Sequence, residues 1–185
     1  MIRIENLSFS YRRKKVIKNL DLCIEDGKRI CISAPSGAGK TTLLRLIMNL
    51  EKPGKGTVVF DQKPVFSAVF QEDRLLSWKT VLENAAMFSD NETAAAVLKE
   101  TGLEDCMNQY PDELSGGMKR RCALARALAH PFTVLILDEA FTGLDEKTKK
   151  MCMQAVSKRA EGKTLIMTAH DPEEAELLQA EIICL

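Results

Sequence analysis

The run Cys31-Ile32-Ser33-Ala34-Pro35-Ser36-Gly37-Ala38-Gly39-Lys40-Thr41-Thr42, continued by Leu43-Leu44-Arg45-Leu46-Ile47-Met48, constrains this chain more than any other stretch. An apolar strand, Ile30 to Ile32, stops at a Pro/Ser/Gly turn, and a helix-period run starts at once. A strand-loop-helix unit of this kind aims several backbone N–H groups and a helix N-terminus into one small space. That space is electropositive without any side chain, which suits a chain of phosphates. Gly37 and Gly39 let the backbone curl closely, Lys40 can reach β- and γ-phosphates, and the Thr41 hydroxyl can ligate Mg²⁺. Residues Ala34, Pro35, Ser36, Gly37, Ala38, Gly39, Lys40, Thr41 and Thr42 are therefore the candidate phosphate site. The phosphate-loop pattern has glycine where Ala34 stands. If that position needs a positive φ, alanine costs on the order of 1 kcal/mol there.

The rest of the chain reads as one unit over residues 1–185, with 45% hydrophobic residues to build its core. Lysine plus arginine balance aspartate plus glutamate at a formal net charge of zero, which excludes the broad basic field of a general nucleic-acid binder. Arg12-Arg13-Lys14-Lys15 reads as a solvated hairpin turn. No apolar run is long enough to cross a bilayer, and Met1-Ile2-Arg3-Ile4 does not open a signal peptide, so a soluble, cytosolic chain is expected. None of the six cysteines forms a C-x-x-C pair, and most fall in apolar periodic segments, so buried free thiols are expected rather than a metal site.

Ile2, Ile4 and Leu7 open a strand that pairs antiparallel with Val16 to Ile24 across a turn at Arg12–Lys15. The helix from Lys40 is expected to end near Asn49, and Gly56 to Phe60 and Ala68 to Phe70 read as strands. Between Gln71 and Ser115 lies a mostly helical insertion, taken as residues 72–115. It has a capping box at Thr80-Val81-Leu82-Glu83 and a helix from Glu92 that stops at Gly102. A long helical run from Gly116 to Ala129 precedes Thr133-Val134-Leu135-Ile136-Leu137, apolar almost throughout as a strand covered on both faces should be. Helices at Lys147–Ala160 and Pro172–Leu178 alternate with strands at Thr164–Thr168 and Ile182–Leu185. That alternation argues for a right-handed parallel sheet with the ligand at its strands' carboxyl ends.

Asp138-Glu139 ends the apolar strand at the same sheet edge as the phosphate loop. Asp138 would hold Mg²⁺ through its water shell beside Thr41, and Glu139 could polarise a water for in-line attack on a γ-phosphate. Alone, the pair could equally cap the following turn. Leu114-Ser115-Gly116-Gly117-Met118 is a second helix start with a capping serine and bare amides; taken alone it reads first as a plain capped helix start, and beside the phosphate loop as a second anion site. Two phosphate-seeking helix termini and one nucleotide suggest that the second serves a neighbouring subunit.

With these motifs in this order the sequence resembles the ATP-binding cassette (ABC) ATPases of transporters, over nearly its whole length. The resemblance implies an α/β P-loop NTPase, an ABC-type ATPase core with a small antiparallel β region and a helical insertion. It implies ATP and Mg²⁺ as ligands and places further residues: Tyr11 stacking on adenine, Gln71 reaching Mg²⁺ and the attacking water, and His170 contacting the γ-phosphate. Asp145, in Gly143-Leu144-Asp145, resembles the aspartate that couples two sites across a dimer. Taken without the family, Tyr11 could be a strand tyrosine packed on its hairpin, and His170 a structural hydrogen-bonder. The stretch Val69 to Asn84 is similar to the nitrate/sulfonate/taurine importer ATPases, which usually have proline where Ser77 stands. The region between Gly56 and Gln71 and the insertion are short for the family, and the chain stops soon after His170, leaving no C-terminal regulatory domain.

These features lead to an expected ATPase subunit of a membrane transporter. It would work as a head-to-tail dimer of cassettes on separate integral membrane permease subunits, with a substrate-binding protein as a further partner. Its place would be the cytoplasm, peripheral on the inner face of the membrane, with no nucleic acid. The rival readings are a soluble non-transport ABC ATPase, a nucleotide-binding scaffold with little turnover, and a small-molecule P-loop kinase.

Overall fold

The computed structural model describes residues 1–12, 14–35, 37–169 and 171–185. Among the described residues there are two sheets and six α-helices. β1 (Ile2–Tyr11), β2 (Lys14–Ile24) and β4 (Lys55–Phe60) form an antiparallel sheet in the order β2-β1-β4. β3 (Arg29–Ser33), β5 (Phe66–Val69), β6 (Val134–Asp138), β7 (Thr164–Thr168) and β8 (Glu181–Cys184) form a parallel sheet in the order β5-β6-β7-β3-β8. The helices are α1 (Lys40–Ile47), α2 (Val81–Ala85), α3 (Asn91–Glu100), α4 (Gly116–Ala129), α5 (Glu146–Arg159) and α6 (Pro172–Leu177).

The central strands are buried at every position of β6 and β7 because both faces of the sheet are covered. Alternation along the strands divides their side chains between two cores. Ile30, Ile32, Val134, Ile136 and Ile166 pack with Leu43, Leu44, Leu46 and Ile47 of α1 and with the inner face of the antiparallel sheet. Cys31, Leu135, Leu137, Leu165 and Met167 pack on the other side with α3, α4 and α5. Each fully covered Leu or Ile contributes about 1.5–3 kcal/mol, so the strand ends that carry the polar site are held between two dry layers.

Local signals in the sequence account for most element ends. Asn49 adopts φ 56° after α1; its N–H bonds Leu46 O and the Leu50 N–H bonds Arg45 O, a left-handed helix stop. Gly102 does the same for α3, with φ 68° and the Leu103 N–H on Leu98 O. The capping box is present: Thr80 Oγ1 accepts from the Glu83 N–H at 3.2 Å and Glu83 Oε2 from the Thr80 N–H at 2.8 Å. The segment from 72 to 115 is only partly α-helical, with short 3-10 turns around α2 and α3. Its entry loop is tied to α2 by Asn84, fully buried. Its amide exchanges bonds with the N–H and C=O of Leu76 and donates to the carbonyls of Lys79 and Thr80.

Two expectations change. β5 begins at Phe66 rather than Ala68, because Phe66 already pairs with Val134 of β6. The thiols divide: Cys31, Cys122 and Cys152 are buried, Cys106 is half-buried, and Cys23 and Cys184 are exposed. Cys23 and Cys184 lie on edge strands whose outer positions face solvent. Burial pushes the Cys122 thiol up to about 12 and that of Cys152 up to about 11, and raises that of Cys31. Since the thiolate is the reactive form, titration of the native protein with a thiol reagent at pH 8 should modify Cys23 and Cys184 rapidly. Cys31, Cys122 and Cys152 should react only on unfolding. Rapid native modification of Cys122 or Cys152 would contradict this packing.

Candidate functional site

The chain leaves β3 at Ser33, reverses, and enters α1 at Lys40 with Gly39 as N-cap. Among the described residues no side chain caps this helix, and the helix dipole adds about half a positive charge at its start. Gly37 and Gly39 have φ of 76° and 104°, and a Cβ on Gly39 would come within 2.5 Å of Val16 Cγ1. Glycine at 39 is thus demanded twice, by backbone and by the close approach of β2. The Ala38 N–H bonds Pro35 O at 3.1 Å and tightens the turn. Ala34 does not have a positive φ, so the condition under which alanine would strain the backbone does not arise. What it supplies is a carbonyl, which accepts from Lys40 Nζ at 2.9 Å, and any residue can supply that. The candidate Ser36 lies outside the described residues, as does His170.

Across the sheet edge, Asp138 is fully buried at the end of β6. Its Oδ2 accepts from Thr41 Oγ1 at 2.7 Å and its Oδ1 from Thr168 Oγ1 at 2.7 Å. The two strand ends and the phosphate loop therefore meet at one carboxylate. The donor set, a hydroxyl and a carboxylate beside a phosphate loop, is made of hard oxygens and fits Mg²⁺, which takes one or two protein ligands and fills the rest with phosphate and water. Gln71 Nε2 donates to Glu139 Oε2 at 2.8 Å, and the amide oxygen of Gln71 is chemically a further acceptor. Glu139 sits at φ 52°, a left-handed conformation costing about 1 kcal/mol for a residue with a side chain. Its N–H is held by the carbonyl and hydroxyl of Thr168 at 3.2 and 3.1 Å.

Tyr11, Lys40, Thr41, Thr42, Gln71 and Glu139 line a common cavity of about 270 Å³. Gln71 and Glu139 also line a second cleft, about 480 Å³, whose other wall is Gly116, Gly117 and Gly143. A roomier cavity of about 590 Å³ lies on the antiparallel sheet among Lys15, Lys18, Lys52 and Lys55. It includes no residue of the phosphate loop, and chemistry rather than volume locates the site.

At α4 Ser115 caps the helix, accepting from the Met118 N–H at 3.3 Å. Gly116 and Gly117 have no positive φ; a Cβ on Gly116 would meet nothing within 4 Å and one on Gly117 only Leu144 and Gly143 at 3.7 and 3.9 Å. Among the described residues nothing requires glycine at either position. Asp145 caps α5, accepting from the Thr148 N–H at 3.0 Å, and its bonds to Thr148 hold the carboxyl below the usual range.

Tyr11 ends β1 with its ring edge-on to Phe9 (4.8 Å, 85°) and its hydroxyl 3.4 Å from Glu51 Oε1. It is 42% exposed. If this ring stacks on a base, Tyr11→Ala is expected to weaken ATP by about 5- to 100-fold, as 1–3 kcal/mol of stacking implies, while Tyr11→Phe binds like the parent. Equal losses in both, read by calorimetry, would assign the effect to the hydroxyl instead.

Two residues of this site carry no motif signal. Thr168 was read only as the end of a strand, yet its hydroxyl orients Asp138 and its backbone holds Glu139. Arg120 lies within the Lys119-Arg120-Arg121 run but is only 6% exposed. The available signal was its spacing, four and seven residues before Leu124 and Ala127, which puts a cation on the apolar face of α4.

Comparison with known proteins follows this geometry. The profile of the ABC transporter family matches residues 17–142. The chain is 39% identical over 184 residues to an aliphatic sulfonates import ATP-binding protein of Rhodococcus jostii, covering 95% of this chain and 75% of that one. Among solved structures it is similar to a dimeric ATP-binding cassette in a post-hydrolysis state with ADP and Pi (TM-score 0.89, 31% identity, 100% of this chain and 94% of that one). It is also similar to the cassette of a bacterial Atm1-family ABC exporter with ATP bound (TM-score 0.90, 25% identity, 100% and 37%).

Proposed function

This chain belongs to the ABC transporter family as one of its ATP-binding, ATP-hydrolysing subunits, and we propose that residues 1–185 act as one cassette that powers an importer by closing head to tail on a second cassette. The observation that carries this reading is the junction of Thr41, Asp138, Gln71 and Glu139 beside Lys40. The amides from Gly37 to Thr42 and the Lys40 ammonium bind the phosphates, with Lys40 turning from the Ala34 carbonyl to the β- and γ-phosphates. Thr41, Asp138 and Gln71 hold Mg²⁺, which neutralises charge on the phosphate oxygens when bound. Glu139 takes the proton of the attacking water as its oxygen bonds to the γ-phosphorus, and ADP departs. Gln71 steadies that carboxylate, Tyr11 stacks on adenine, and His170 completes the set at the γ-phosphate.

Ser115, Gly116 and Gly117 serve the partner's nucleotide. The freedom around both glycines supports this, since bare amides with no internal use suit an outside anion. Permease subunits dock along the segment from Gln71 to Trp78, where the indole is 71% exposed. Among the described residues no helix is long and apolar enough to cross a membrane, so the subunit would sit peripherally on the inner face. The likeness to a sulfonate import protein makes an organic anion delivered by a binding protein the first cargo to try.

Light scattering tests the dimer. The Glu139→Gln protein should be monomeric alone or with ADP and dimeric with Mg-ATP. Adding Ser115→Arg, which drives a long side chain into the shared phosphate site, should remove that dimer and leave ATP binding to the monomer. A dimer that persists in the double variant rejects the head-to-tail arrangement.

A further inference from the structure

The guanidinium of Arg120 is shared between the two segments that carry Gln71 and Glu139. Its Nη1 donates to the carbonyls of Phe70 and Gln71 (3.3 Å for the latter) and pairs with Asp73 Oδ1 at 3.1 Å. On the other side, Nη2 donates to the carbonyls of Asp138 and Glu139 at 3.2 and 2.7 Å, and Nε to that of Ala140 at 2.9 Å. Backbone carbonyls in two segments some seventy residues apart thus converge on one planar group. Arg126, further along α4, donates to the carbonyls of Asp73 and Arg74 at 2.8 Å each, holding the loop but not the strand end. Arg120 alone of these two bridges both.

We infer that Arg120 is the positioning residue of this site: by bonding both backbones it sets the separation of the Gln71 amide and the Glu139 carboxylate, and so the place of the attacking water. The inference rests on the proposed roles of those two side chains and deepens them. Three features support it. The left-handed backbone at Glu139 needs external restraint, and its carbonyl is the atom that receives the shorter Nη2 bond. The Gln71 side chain has no secondary structure to hold it, because β5 ends at Val69 and the next helix starts at Val81. A guanidinium has donors splayed in a fixed plane, whereas a lysine ammonium is a single point that cannot span the two segments. The same helix begins at Gly116, capped by Ser115, little more than a turn before Arg120. Whatever docks on that helix start is therefore connected to the Gln71–Glu139 pair through one side chain.

Arg120→Lys is the deciding variant, because it keeps the charge facing Asp73 and is the gentler change to folding; Arg120→Met is its companion. Displacement of reacting groups by about an ångström costs up to a hundredfold in rate, so kcat of Arg120→Lys should fall ten- to a hundredfold with KM and Mg-ATP affinity within about threefold of the parent. Amide hydrogen exchange, which needs no turnover, should speed up in both residues 71–74 and residues 139–142 while β3 and β7 stay as protected as in the parent. Parent-like kcat and exchange in Arg120→Lys would show that a buried charge suffices, and would overturn the bridge. Faster exchange spread evenly over the core would reduce Arg120 to a general stabiliser and overturn it too. If the parent's turnover were insensitive to Glu139→Gln, the proposed roles of the site would fail, and the exchange experiment would still decide whether Arg120 fixes the two segments.

Discussion

Lys40→Ala is expected to weaken Mg-ATP binding by about 10- to 100-fold. Lys40 is 7% exposed and its ammonium donates to the Ala34 carbonyl at 2.9 Å. A carbonyl is a neutral acceptor, and exchanging it for phosphate oxygens converts a modest bond into charge-assisted ones worth about 1.5–3 kcal/mol each. Among the described residues, Lys14 is the one other lysine or arginine that lines the cavity at Lys40 and Thr41. In the proposed site the remaining binding would come from the α1 amides and from Tyr11, which the substitution leaves in place. Titration calorimetry reads the change, with thermal unfolding of the nucleotide-free variant as the control for folding. Affinity within twofold of the parent would remove the nucleotide from this loop.

Glu139→Gln should lower steady-state turnover by about 10²- to 10⁴-fold, the range for loss of a positioned general base. The amide is nearly isosteric, and its oxygen can still accept from Gln71 Nε2, which now bonds Glu139 Oε2 at 2.8 Å. The carbonyl and hydroxyl of Thr168 and the guanidinium of Arg120 hold residue 139 through its backbone, so they hold a glutamine in the same left-handed place. Binding of Mg-ATP should therefore stay near the parent's while turnover collapses. Single-turnover measurement separates the two quantities. Turnover reduced less than tenfold would move the proton acceptor to another group.

These two effects differ in how their residues could be found. Lys40 opens the helix after a glycine-rich loop and Glu139 follows a strongly patterned strand, and each is next to a sequence signal that owes nothing to distant residues. The glycines at 37 and 39, the both-faces apolar run of β6, the Thr80–Glu83 capping box and the Gly102 helix stop are of the same kind. Each is a local matter of backbone freedom, side-chain period or a donor satisfied within one turn. The sequence by itself therefore determined the phosphate loop, the acidic strand end, the second helix start and the order of most elements.

Tertiary structure alone decided what those pieces do to one another. Ala34 looked like a defect until the loop's path put the left-handed residues at 37 and 39. Thr41, Asp138 and Thr168 form one chain of hydrogen bonds only because β3, β7 and β6 lie side by side, although Thr41 and Asp138 are 97 residues apart along the chain and Asp138 and Thr168 are 30 apart. Arg120 and Asn84 read as ordinary helix residues, and their worth lies in carbonyls that other segments bring to them. β4 looked like any short strand, and only pairing with β1 assigned it to the antiparallel sheet. The physical reason is common to all four. Periodicity and turn chemistry report on residues within a few positions of each other, whereas buried polar groups are satisfied by whichever backbone arrives beside them, and packing chooses that backbone.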